Sequence, residues 1–295
     1  MHGADAVARF EAERARLVWR QRAGTFIGLA LASAVLWGSV ILSGVADQSL
    51  GADPWGRVAA FLDRLAPDLR ADALFEGRDR PGSIAFWYYD FPRWVAAAFE
   101  TLQIAILATV FGAAAAATLS ALAARNTMPI GAVRFVVRRI FEILRTTPEI
   151  ILAIILVAAF GVGPLAGLIA VTLGTIGSLG KLFTEVNENV DPRPAEAVRA
   201  CGGAWAVQLR YGLAPQIAPN YASYALIRLE VNIATAAALG IVGAGGIGLE
   251  LERAISFTQF DTYLAILLMI LVLIMACDLA SSEIRRRLIG LDRAR

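Results

Sequence analysis

The chain has one histidine, His2, one lysine, Lys181, and two cysteines, Cys201 and Cys277. A single histidine excludes H-E-x-x-H metalloprotease chemistry and leaves a zinc site short of ligands. Two cysteines cannot make a disulfide scaffold. Gly-x-Ser-x-Gly does not occur, so no nucleophile elbow is present. Charge is scarce as well, at 18% of residues against roughly 25% in soluble domains. What the chain has in excess is apolar residues, 58%, with a mean hydropathy of +0.62. That content excludes disorder, and 26 Gly and 11 Pro without a period exclude a collagen-like chain.

A bilayer core is about 30 Å thick and needs about 20 apolar residues per helix. Six segments qualify: 23–45, 94–124, 132–162, 165–183, 220–242 and 263–279. The third is the least regular, with Arg134, Arg138, Arg139, Glu142 and Arg145 in its first half and Pro148 at its middle. It reads as one tilted helix whose basic half stays in cytoplasm or headgroups. The first, preceded by Arg9, Arg14, Arg16, Arg20 and Arg22, is too long for a cleaved signal peptide and reads as a retained anchor.

The near-neutral net charge of +2 hides a strong asymmetry. Lys and Arg number five before span one, five in 125–145, four in 181–210 and five in 284–295. The other side holds six in 46–93 and one in 245–262. The positive-inside rule then places both termini in the cytoplasm. The expected organisation is a cytoplasmic segment 1–22, span one at 23–45, and an outer segment 46–93. A core follows at 94–283, with an inner loop at 184–219 and a cytoplasmic tail at 284–295. In the outer segment, Asp53-Pro54 opens a helix with Trp55, Val58, Leu62 and Leu65 on one face, suited to a membrane surface. Phe86-Trp-Tyr-Tyr89, Phe91 and Trp94 read as an interfacial aromatic belt or as a docking surface for an external partner.

Two motif matches fail on context. Gly243-Ala-Gly-Gly-Ile-Gly248 fits G-x-G-x-x-G but follows an apolar helix rather than a strand, so Gly243, Gly245 and Gly246 are expected to permit close helix approach or to line a pore. Lys181 follows Gly180, but Thr175 and Leu182 stand where a P-loop needs Gly and Ser or Thr.

The inner loop has Pro194 and Glu196 where a helix would begin and Gly202-Gly203 where it would end. A second short helix, 205–211, is expected to stop before Pro215. Two short cytoplasmic helices make a docking element for another protein. Glu196-Ala197, Gly202 six residues after the Glu, and Pro215 thirteen after the Gly resemble the coupling-loop signature of ABC-importer permeases. Val198, Gly212 and Ala214 depart from its usual Ala, Ile and Leu. The runs Arg145-Thr-Thr-Pro-Glu149, 175–183, Arg210-Tyr-Gly-Leu-Ala-Pro-Gln216, Arg228-Leu-Glu-Val-Asn232 and 239–248 resemble phosphonate-type permeases. That resemblance covers about 94–285. Ala234 replaces a basic residue common there.

The resemblance implies an all-α integral membrane protein of the bacterial inner membrane with an ABC importer type I permease-like core. It further implies a second copy of the chain, two cytoplasmic ATPases that bind ATP and Mg, an extracytoplasmic substrate-binding protein, and surrounding lipid, but no nucleic acid. The chain itself would hold no cofactor. The coupling residues would be Glu196, Ala197, Gly202, Gly203, Arg210 and Pro215.

Ionisable groups inside a span are costly and face partners or water. Arg228 and Asn232, four apart, share a face with Tyr221 and Tyr224, while Glu230 points almost oppositely. Arg228 and Glu230 therefore need separate partners, or a wet cavity. Arg228, Glu230 and Glu149 read either as interhelical ion pairs or as an oxyanion pathway, and Lys181 as an interfacial or an inner-gate residue. A permease for methionine, a sulfonate or another small solute, and an integral-membrane enzyme, stay open on these residues.

Overall fold

A computed structural model describes residues 2–44 and 53–289, and among these residues the ordered elements are helices. The chain divides into two units at Leu62/Asp63.

In the first unit, α1 runs from His2 to Leu42. It continues through the arginine-rich stretch instead of beginning at residue 23, because Ala, Glu, Arg and Leu there are all good helix formers. Its stretch Glu13–Leu42 is long and apolar enough to cross a membrane. Val45 lies outside the described residues. The helix α2, Pro54–Leu65, contains the unit boundary; it begins where Asp53 Oδ1 accepts the Gly56 N–H at 2.7 Å, and Trp55, Val58 and Leu62 are exposed.

The second unit contains α3 (Ile84–Trp87), α4 (Phe91–Ala123), α5 (Gly131–Thr146), α6 (Glu149–Phe160), α7 (Pro164–Glu188), α8 (Arg193–Ala200), α9 (Trp205–Val207), a π-helical turn (Gln208–Leu213), α10 (Ala214–Gly240), α11 (Ile247–Ser256) and α12 (Phe260–Ile289). The helices α4 and α7 pack along small residues. A Cβ on Gly112 would lie 2.4 Å from Thr175 Cγ2, and one on Gly177 2.6 Å from the Arg145 amide nitrogen of α5. Without a hydrophobic drive between helices in lipid, such close backbone approach supplies the packing. Ala108, Ala153, Ala170, Val171, Leu239 and Ala244 join α4, α6, α7 and α10 in one core cluster.

The single tilted helix expected at 132–162 is two helices, α5 and α6, bent by 87°. The residue before a proline is pushed out of the helical region, and Thr147 takes φ −79°, ψ 120°, so the chain turns there rather than kinking. With 12 residues, α6 is about 18 Å long and falls short of a bilayer core by itself. Among the described residues four helices are long and apolar enough to span, and the bent pair makes a fifth. At 27 residues, α10 has the length but carries the polar groups Arg228, Glu230 and Asn232.

The aromatic run is partly core. Trp94 is 2% exposed and packs with Ile247, Ile266 and Ile270, and Trp87 Nε1–H donates to the Asp261 carbonyl at 2.8 Å.

Candidate functional site

Four helices send polar side chains to one place in the bundle. Asn232 of α10 is fully buried. Its Nδ2–H groups donate to Thr109 of α4 at 2.8 Å and Thr175 of α7 at 2.9 Å. Each amide hydrogen thus has a partner, as burial among apolar helices demands. One turn earlier on α10, Arg228 pairs with Glu149, and its Nε reaches Thr175 Oγ1 at 3.5 Å. The two charged side chains are 15% and 20% exposed, so the pair is neither solvated nor sealed.

Glu149 is the first residue of α6, directly after the break at Pro148. It reaches Arg228 across α7 because position 174 is glycine: a Cβ there would stand 2.1 Å from Glu149 Oε1. A guanidinium beside a carboxylate, backed by hydroxyls and an amide, sets charge-assisted donors of the kind that also suit other oxyanions. Among the described residues, no group of three His, Cys, Asp or Glu side chains comes together as a metal set.

The other candidates from the sequence lie elsewhere. Tyr221 stacks on Phe183 at 3.7 Å, and its hydroxyl donates to Asn187 Oδ1 at 2.9 Å and meets Ser120 Oγ at 2.9 Å. Tyr224 lines a separate crevice with Asn189, Gln216 and Asn220. Lys181 is half exposed, with Glu185 at 3.8 Å, in a groove of about 220 Å³ that also holds Arg138 and Arg145. Glu230 stands apart from Arg228. Among the described residues its Oε1 is buried without a hydrogen bond, and the charges acting on it are Arg285 and Asp278 of α12.

Gly243, Gly245 and Gly246 are buried and have positive φ of 87°, 84° and 73°. They turn the chain from α10 into α11, whose first amides are capped from α4. Glu100 Oε1 accepts the Gly246 N–H at 3.2 Å and Thr101 Oγ1 the Ile247 N–H at 2.8 Å. Spacing gave no warning of Thr101, Thr109, Thr175, Gly174 or Asn187, since a threonine, a glycine or an asparagine at the end of an apolar run carries no periodic signal of its own.

The inner loop is more helical than expected. Residues 184–188 extend α7, and α8 starts with Pro194 and Glu196 in its first turn. Gly202, at φ 80°, ends that region, and the Gly203 N–H bonds back to the Val198 carbonyl at 3.0 Å. The second short helix does not stop before Pro215. It passes through the π turn directly into α10, with Pro215 in the first turn, where a missing N–H costs nothing. Ala195 of α8 seats on Gly212, where a Cβ would lie 2.6 Å from the Ala195 Cα. Trp205 Nε1–H ties the elbow to the Thr127 carbonyl at 2.7 Å. Ala197 and Arg210 are exposed on it.

Residues 116–290 match the model of the family described as binding-protein-dependent transport system inner membrane component. The phosphate-import permease protein PhnE of Mycolicibacterium smegmatis is 41% identical over 193 residues, covering 65% of this chain and 36% of that protein, so the chain spans about a third of that relative's length. The phosphite transport system permease protein PtxC of Stutzerimonas stutzeri is 38% identical over 193 residues, 65% of this chain and 70% of that protein. A solved chain of the MetNI methionine ABC transporter in an inward-facing conformation superposes with a TM-score of 0.58 at 22% identity, covering 66% of this chain and 95% of that one. At that identity the likeness establishes the fold. The all-helical bundle, its polar span residues and the family match together place this chain among the binding-protein-dependent transport system inner membrane components.

Proposed function

We propose that the chain is the membrane-spanning subunit of an ATP-driven importer for a phosphonate, phosphite or phosphate-like oxyanion. The observation that carries this reading is Arg228, a planar bidentate donor held largely buried in a polar cluster built from four helices. The relatives named for phosphate and phosphite support the same class. Separate ATPases bind ATP and Mg and supply the energy. An extracytoplasmic binding protein delivers the anion, and a second copy of the chain completes the pathway. The chain has no ATP site of its own. It lies in the inner membrane with both termini in the cytoplasm, α8 and the π elbow docking on the ATPase through Glu196, Ala197, Gly202, Gly203, Arg210 and Pro215.

Reconstitution of the chain with its ATPase and binding protein in proteoliposomes tests this reading. Uptake of radiolabelled phosphite or a phosphonate, dependent on ATP and on the binding protein, is expected. Uptake of methionine or a sulfonate without that of any phosphorus oxyanion would refute it.

A further inference from the structure

The Arg228–Glu149 pair contains its own exchange chemistry. We infer that Glu149 is an internal competitor for the transported anion: its carboxylate occupies Arg228 when no substrate is present, and the oxyanion passes by taking that place. The inference rests on the oxyanion reading above.

Three observations carry it. First, carboxylate and phosphorus oxyanion present the same charge-assisted acceptors to a guanidinium. Arg228 binds Glu149 through Nη2 and Thr175 through Nε, and among the described residues its Nη1 makes no hydrogen bond. An incoming anion therefore has a donor to land on before Glu149 leaves. Exposures of 15% and 20% leave that donor reachable.

Second, the two partners are held differently. Arg228 is backed by Thr175 and by the buried Asn232, which is fixed in turn to Thr109. Glu149 has Arg228 as its one side-chain partner among the described residues, and it is the first residue of α6, beside an 87° break, entering through a gap that only Gly174 leaves open. Third, the displaced carboxylate stays at the N-terminus of α6, where the helix dipole favours negative charge. There the carboxylate stands beside the bound anion and competes with it for Arg228. Binding that is favourable enough to enter and weak enough to leave is what conduction requires.

The test uses the complete transporter, with inorganic phosphite as the probe. Calorimetry on the detergent-solubilised permease–ATPase complex reads direct anion binding, and proteoliposomes read uptake. Glu149→Gln should bind phosphite at least roughly ten-fold more tightly, about 1.4 kcal/mol, while uptake falls, because nothing expels the anion. Gly174→Ala keeps the carboxylate but blocks its entry, and should shift affinity and uptake in the same directions. Arg228→Gln should lose both. If Glu149→Gln and Gly174→Ala fold and leave phosphite affinity unchanged, or weaken it alongside stability as Arg228→Gln does, the competitor role is overturned. Should Glu149→Gln fail to fold, Gly174→Ala alone decides. A wild type that imports no phosphorus oxyanion overturns the substrate reading instead, a distinguishable result.

Discussion

Asn232 has two amide hydrogens, and the fold satisfies both with threonines from different helices. Replacing it with Ala leaves Thr109 with the Ala105 carbonyl and Thr175 with Arg228 Nε alone, and removes the end of Arg228's support. Asn232→Ala should therefore destabilise the solubilised protein by about 1–3 kcal/mol, read as a lower thermal midpoint, while Asn232→Asp should do worse by adding a buried charge. Thr101→Val removes a cap on α11 without touching that network. It should cost about 0.5–2 kcal/mol in the same thermal assay and leave transport per folded molecule unchanged. Arg228, Glu149 and Asn232 were legible in the sequence because charge and amide groups stand out in apolar runs. Their pairing was not, since Glu149 and Arg228 are 79 positions apart and a face on one helix says nothing of what opposes it. Tyr221 shares the Arg228 face by spacing yet joins Ser120 and Asn187, because a stripe along α10 passes several neighbours in turn.

At the scale of elements, the chain from Trp205 into α10 is continuous helix with one wide π turn, a device common at functional sites. The contact of Ala195 on Gly212 joins α8 to that turn, and the turn runs into the helix bearing Arg228. Gly212→Val would push α8 off the elbow. It should lower transport by ten-fold or more while ATP hydrolysis persists, measured side by side in proteoliposomes. The start and end of α8 were readable from Pro194, Glu196 and Gly202 because caps have local chemistry. The join to α10 was not, because Pro215 stops a helix when it lies inside one and suits one when it lies in the first turn. The same ambiguity hid the break at Pro148: proline announces a disturbance, and the extended Thr147 decides that it is an 87° turn.

For the molecule as a whole, the distribution of arginine predicts its sidedness, and the chain carries its own reporter. Cys201 is exposed at the end of α8, and Cys277 packs partly against Ile104, Ile233 and their neighbours. A membrane-impermeant maleimide should label Cys201 from the cytoplasmic face only, in inverted vesicles and not in intact spheroplasts. Labelling from outside would reverse the topology. Of the six expected crossings, four are long apolar helices among the described residues and a fifth is the bent pair, while 220–242 falls on α10, whose polar residues lower its hydropathy. The short α6 has a further consequence, for biosynthesis. Twelve residues cannot hold a transmembrane position during synthesis. The tight turn at Gly161–Gly163, bonded to Gly243 at 2.9 Å in the finished fold, makes α6 and α7 a hairpin. Nascent chains truncated after residue 163 should therefore remain extractable at this segment, and those extended through residue 188 should insert both helices together.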